Sequence, residues 1–431
     1  MSPYNNNTYL RQQSFENPQD WIFKLILFII YPFGAFLISL KNAASKSSYL
    51  IYFLFGIVFC WHMNPTGSGR YDDLEGIMQR VVANDYSIQE IWEQFVAFIT
   101  FAKDAPKEVY ENFINWFSKL FSPNPHLFFA IAAIPYLYFM LKSLKKITTD
   151  RKFTQCWYCL IVLALFVLPR DIITVQNPRF TTGIWMAVFA TISFFSSGKY
   201  QWRYYLLILA TPLIHSGFWF YVLAFTGGLF VMRYQKLLIV LLYVSVPFSY
   251  LSYDLLSNLN FSALPLPATL ALWIERYLSE DSFNEFVANE GASGYFWVAQ
   301  MFTTIRTTAY LIIPLYLWKY RKEIERRNDI KHLFKFFLYF YALVNFIQFV
   351  PVLGERFYWI VRILAIYLWF KAIYPRHNTI LKILLLTCLW EMFKRYFYKG
   401  AVSSSVPLEI FYTPLPNLIA DFWGVTNITQ L

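Results

Sequence analysis

Asn177-Pro-Arg-Phe-Thr-Thr-Gly-Ile-Trp-Met186 opens an apolar run that continues to Gly198-Lys-Tyr-Gln-Trp-Arg203. The chain then returns through Ala210-Thr-Pro-Leu-Ile-His-Ser-Gly-Phe-Trp219. Read together, these residues form a hydrophobic hairpin with Arg179 at its entrance and His215 at its return. Apolar runs close to 20 residues long are the length that crosses a hydrocarbon layer. An ionisable group at the edge of such a run is costly, so Arg179 and His215 are candidates for function.

Similar runs recur along all 431 residues. The composition is 57% hydrophobic and 21% aromatic, with 15% charged residues and a mean hydropathy of +0.40. A soluble domain carries about 25% charged residues. The sequence therefore predicts a single all-α polytopic membrane domain over 1–431, with about 12 transmembrane helices from Trp21–Leu40 to Ile380–Phe397. Residues 1–20 are polar and lack a basic start with an apolar core, so the first run reads as a retained span rather than a cleaved leader.

The net charge of +11 gathers in short loops: Lys142 to Lys152, Lys199 and Arg203, Arg233 and Lys236, Lys319 to Lys331, and Lys371 with Arg376. That bias marks the cytoplasmic side of a membrane protein and gives no reason to invoke nucleic acid. Threading the spans puts all these loops on one face. Both termini and two acidic segments, 64–124 and 257–293, then lie outside. Arg170, Arg179, His215, Glu355 and Arg356 fall on that outer side as well.

The outer segments carry helical periodicity. Ile88, Ile91, Trp92, Phe95 and Ile99 share one stripe, and Val109, Phe113, Trp116, Phe117 and Leu120 another. Such helices suit the lipid interface or a cap on the bundle. The hairpin Tyr204–Met232 offers 29 residues for two crossings, where about 40 are needed. The turn at His215 therefore lies below the outer surface, and Pro212 permits a kink one turn earlier. A non-helical turn at that depth needs protein or a wet cavity around it.

Arginine offers a planar, permanently charged fork to phosphate oxygens. Histidine can take a proton from a sugar hydroxyl. Together beside an apolar groove they suggest glycosyl transfer from a lipid diphosphate, with Arg179 on the leaving group and His215 as base. Each residue also has a plainer reading. His215 can be a helix–helix hydrogen-bond partner, and Arg179 a snorkelling anchor. Arg170 with Asp171, and Glu355 with Arg356, can be solvated pairs. Asp72 and Asp73 can mark a helix N-terminus. A metal is not demanded, and no cofactor is implied. Cys156-Trp-Tyr-Cys159 has ligand spacing without a second pair or a nearby histidine, and reads as apolar filler.

At these residues the sequence resembles the EpsG/Wzy-like family of bacterial exopolysaccharide and O-antigen repeat-unit polymerases. The resemblance rests on Gly69-Arg-Tyr-Asp-Asp73, Phe121-Ser-Pro-Asn-Pro-His126, Asn177-Pro-Arg179-Phe, Lys199, Ile214-His215-Ser-Gly and Gly354-Glu-Arg356-Phe. Arg179 is followed by Phe180, where the family often has glutamine. The resemblance implies a GT-C-like, metal-independent glycosyltransferase in the bacterial inner membrane. Undecaprenyl-diphosphate-linked oligosaccharide would be both donor and acceptor, and a flippase and chain-length regulators would be partner proteins. It implies diphosphate binding for Arg179 and Arg356 and a base role for His215, with Asp72 and Asp73 less closely matched. An O-antigen ligase or a polyprenyl-phosphate-sugar glycosyltransferase is the alternative. A flippase of the same lipid-linked sugar is the alternative of another class, although no internal repeat is evident.

Overall fold

Prolines and capping side chains decide where the helices of this chain begin. The computed structural model describes residues 17–63, 73–102, 105–106, 109–154, 156–172, 174, 177–196, 200–250, 296–348, 351–393 and 408–424. All of its regular structure is helical, with no strand among the described residues. Helix α1 (Pro18–Ile30) starts on Asn17, whose side chain accepts from the Gln19 N–H, and has Pro18 in its first turn. The expected span Trp21–Leu40 breaks at Tyr31, and α2 (Pro32–Ser39) follows. Pro32 has no N–H to give the Phe28 carbonyl, so the helix cannot run through. Helix α3 (Lys46–Trp61) begins on Ser45. The buried Lys24 ammonium ties α1 to this start through Ser45 (3.1 Å), Ser47 (2.7 Å) and Ser48 (3.0 Å).

Three short helices come from the first polar segment: α4 (Asp73–Ala83), α5 (Ile88–Ile99) and α6 (Tyr110–Lys119). Ser87 and Glu90 form a capping box at α5. The backbone N–H and hydroxyl of Ser87 hold the Glu90 carboxyl below its ordinary range. One side of these helices is covered: Phe98 and Val109 cluster with Leu213 and Trp219 of the bundle. Trp92, Phe113, Leu120 and Phe121 stay exposed on the other. The segment thus caps the bundle and still turns aromatic residues outward. The whole of the second polar segment, 257–293, lies outside the described residues, as does Asp72.

Helix α7 (Pro125–Thr148) follows, then α8 (Trp157–Val167), α9 (Pro178–Phe195), α10 (Trp202–Leu209), α11 (Thr211–Ile214), α12 (Phe218–Val231) and α13 (Gln235–Ser245). Beyond the second polar segment come α14 (Phe296–Lys319), α15 (Arg321–Glu325), α16 (Lys331–Ile347), α17 (Pro351–Ala372), α18 (Thr379–Phe393) and α19 (Leu415–Gly424). Among the described residues, α7 alone is long and apolar enough to cross a membrane by length and composition. Several other expected spans are apolar helices of 10–17 residues. In the hairpin, the chain breaks at Ala210, and Pro212 sits in the new turn rather than kinking a continuous helix.

The centre of the bundle is α9 and α17. Helix α9 packs on α7, α10 and α17, while α17 also packs on α8, α14 and α16. Both are buried almost all round, from Phe180 to Phe195 and from Phe357 to Phe370. A helix apolar on every side belongs in the middle of its assembly. Gly183 of α9 makes room for Phe218: a Cβ there would sit 2.4 Å from that ring. Gly183→Ala is expected to cost about 1–3 kcal/mol of stability through overpacking. It should also displace Phe218 from its contacts with Phe180 and His215. The readout is an earlier thermal transition of the purified protein.

At one end of the bundle the basic loops meet. Lys371 pairs with Asp150, and Lys152 donates to the Lys371 and Tyr374 carbonyls at 2.8 and 3.0 Å. Burial alone would raise the Asp150 carboxyl. Hydrogen bonds from Lys371 and the Lys152 N–H, with the charges of Lys371 and Arg327, outweigh it and hold the group below the usual range. Its contribution is complete above the unfolded value of about 4. It is lost as pH falls through the lower folded value. Lys371→Met should therefore flatten the acid side of a plot of melting temperature against pH.

Candidate functional site

The first turn of α9 lies at the opposite end. Asn177 caps it by accepting from the Phe180 N–H at 3.3 Å, and Pro178 fills the first helical position. Arg179 and Phe180 are neighbours in sequence and point to different surroundings. Arg179 reaches the cap, where its NH1 meets Glu111 Oε2 of α6 at 2.9 Å. The other oxygen of the same carboxylate accepts from Arg80 Nε of α4 at 2.8 Å. The Glu111 side chain is 8% exposed and Arg179 18%. One buried carboxylate thus links α4, α6 and the central helix. A charge in that position is tolerated because it is doubly paired.

Phe180 turns inward and is 1% exposed. Its ring lies 5.3 Å from the His215 ring, edge to face. The Arg356 guanidinium sits 4.9 Å from its centroid and the Arg170 guanidinium 5.4 Å. Arg170 also stacks on Trp359, 3.1 Å from that centroid. The Arg170 carbonyl accepts from Trp185 Nε1 at 3.0 Å, which ties the segment after α8 to the middle of α9. The electron-rich ring faces attract cations and keep them oriented without discharging them. Arg170, Arg356 and His215, remote in sequence, therefore share one aromatic hub, and Arg179 is the residue next to it.

His215 follows α11 in extended conformation, with φ −157° and ψ 126°. It is 5% exposed. Its Nδ1 accepts from the Gly217 N–H at 3.0 Å. An imidazole nitrogen that accepts a backbone N–H must hold its lone pair there, so the neutral ring carries its proton on Nε2. In this tautomer His215 is a donor. Taking up a proton at Nδ1 would require giving up the Gly217 hydrogen bond.

The remaining sequence candidates are placed less centrally. Glu355 is exposed near the start of α17, next in sequence to Arg356. Asp73 is the first residue of α4. Asp171 is buried beside Arg170. Among the described residues, no three His, Cys, Asp or Glu side chains gather closely enough to bind a metal ion.

Sequence reasoning missed Glu111, Arg80, Phe180 and Trp359. Glu111 looks like one more acid on the polar face of an amphipathic helix, and only tertiary contact singles it out. Phe180 gave a signal, as an aromatic residue directly after the key arginine, but nothing in the sequence showed which groups it would touch. The geometry as a whole concentrates fixed positive charge and one N–H donor at an apolar centre beneath a helical cap. Such a place suits an anion carried on a hydrophobic tail. Neither a curated relative nor a solved structure matches the chain. The model of the EpsG family does match it, over residues 87–410, a stretch that holds the capping helices α5 and α6, the aromatic hub and both central helices. The chain therefore belongs to the EpsG family, which is membrane-associated and suggests a polysaccharide polymerase-like role.

Proposed function

We propose that this protein is a repeat-unit polymerase with about 12 membrane spans in the bacterial inner membrane. It transfers a glycan chain from one undecaprenyl diphosphate onto the sugar of another lipid-linked repeat unit at the outer face. The observation that supports this most is the shared hub: Arg170, Arg356 and His215 around Phe180, with Arg179 alongside. Arg179, Arg356 and Arg170 bind the donor diphosphate. The acceptor hydroxyl oxygen bonds to the anomeric carbon while the bond from that carbon to the diphosphate oxygen breaks. The hydroxyl proton ends on the released diphosphate, so no separate base is required. His215 lends its Nε2–H to the oxygen on which charge develops, which is where a fixed donor stabilises a transition state most. This replaces the base role suggested by sequence with a donor role consistent with the Gly217 hydrogen bond. Glu355 and the start of α4 at Asp73 belong to the mouth through which the acceptor sugar enters.

Purified protein given lipid-linked repeat units should produce ladders of increasing length. A single addition to a lipid A core would assign it as a ligase. Substrate accumulating on the inner side of cells that lack the protein would assign it as a flippase.

A further inference from the structure

Two thiols lie far from the arginine hub, at the end of the bundle where the basic loops meet. Cys156 is the residue that caps α8, in extended conformation with φ −130° and ψ 160°, and Cys159 falls in the first turn. Thr154 Oγ1 donates to Cys156 Sγ at 3.1 Å and lies 3.7 Å from Cys159 Sγ. The Tyr374 hydroxyl lies 3.6 Å from Cys156 Sγ and accepts from the Cys159 thiol at 3.4 Å. The Thr154 N–H donates to Cys159 Sγ at 3.4 Å. Thr154 and Tyr374 are thus polar neighbours of both sulfurs. Cys156 is partly exposed and Cys159 is buried.

This is more than apolar filler. A partly exposed sulfur beside polar hydroxyls is poised as a nucleophile, and a covered sulfur that shares both of those hydroxyls is placed to resolve what the first one forms. Cys60 and Cys388, the other two cysteines, are buried elsewhere. The polymerase chemistry proposed above uses none of these groups.

We propose that Cys156 and Cys159 form a reversible disulfide by exchange with a low-molecular-weight disulfide of the glutathione class. The Cys156 thiolate attacks one sulfur of that disulfide. A mixed disulfide forms and the first small thiolate leaves. Cys159 then loses its proton, its sulfur attacks Cys156 Sγ, and the second small thiolate leaves. The cysteine pair is oxidised by two electrons, the small disulfide is reduced, and the two protons finish on the two released thiols. Thr154 and Tyr374 set the reactivity of the pair by bonding to both sulfurs.

The test equilibrates the full-length protein in lipid nanodiscs against buffers of varied glutathione to glutathione disulfide ratio. Free thiols are then trapped with a maleimide and located by peptide mass spectrometry. One two-electron transition is expected, in which Cys156 and Cys159 lose label together while Cys60 and Cys388 do not change. Tyr374→Phe and Thr154→Val should each slow alkylation of Cys156 severalfold at pH 7 while the protein elutes as before on gel filtration. In Cys159→Ala, Cys156 should stop at the mixed disulfide with glutathione. The proposal is overturned if no ratio links the pair. It is equally overturned if Cys156 alkylates at the rate of an ordinary exposed thiol in the wild type and in both polar variants.

Discussion

Arg179→Ala is expected to lower the rate of chain transfer by about 10²–10³-fold, the usual loss when one preorganised charge donor to a transition state is removed. Ladders on a gel should shrink to single repeat units. The substitution has a second consequence that must be separated from the first. Glu111 would keep Arg80 and lose Arg179, leaving a buried carboxylate half-compensated. Breaking a fully buried pair costs about 3–5 kcal/mol. Here the cost is smaller, because Arg80 stays and is itself 47% exposed. Glu111→Gln combined with Arg179→Met removes the charge mismatch. If the double variant regains the wild-type melting temperature and still makes no ladders, the loss belongs to substrate binding and chemistry. Recovery of both together would assign Arg179 to holding the cap alone.

His215 divides in the same way. His215→Ala should cost about 10²–10³-fold in transfer rate, as for other removed transition-state donors. His215→Gln supplies an N–H donor but no group that takes up a proton near neutral pH. It is expected to recover activity about tenfold or more over the alanine variant, since a positioned donor is what the site needs. If glutamine is as poor as alanine, proton uptake by the imidazole is required, and the Gly217 hydrogen bond must break during turnover. Initial rates of the two variants on the same lipid-linked substrate decide between these outcomes.

The all-helical architecture could be read from the periodicity of the apolar residues, because each helix carries its own record in spacing, caps and prolines. Asn17, Ser45, Ser87 and Asn124 all cap helices that begin where the pattern suggests. The amphipathic character of α5 and α6 was equally visible. Helix length was not. Hydropathy continues across Tyr31 and Ala210, while the backbone breaks at both. The positions of Arg170, Arg356 and His215 at one end followed from sending the basic loops to the other. Their contact through Phe180 did not follow, because a ring between cations is a property of three helices at once. Glu111 and the Cys156–Cys159 surroundings escaped for the same reason. Their partners Arg179, Arg80 and Tyr374 are between 31 and 218 residues away along the chain.

The aromatic residues on the outward side of α5 and α6 carry a consequence for how such a protein senses its surroundings. Trp92 and Phe113 are exposed on these helices, while Glu111 on α6 grips Arg179 from within. A flat leaflet would seat those rings at headgroup depth. A curved micelle presses on them differently. Lateral pressure on those rings would then reach, through one short helix and one carboxylate, the guanidinium beside the hub. Turnover should accordingly depend on the thickness and packing of the surrounding lipid even when substrate is saturating.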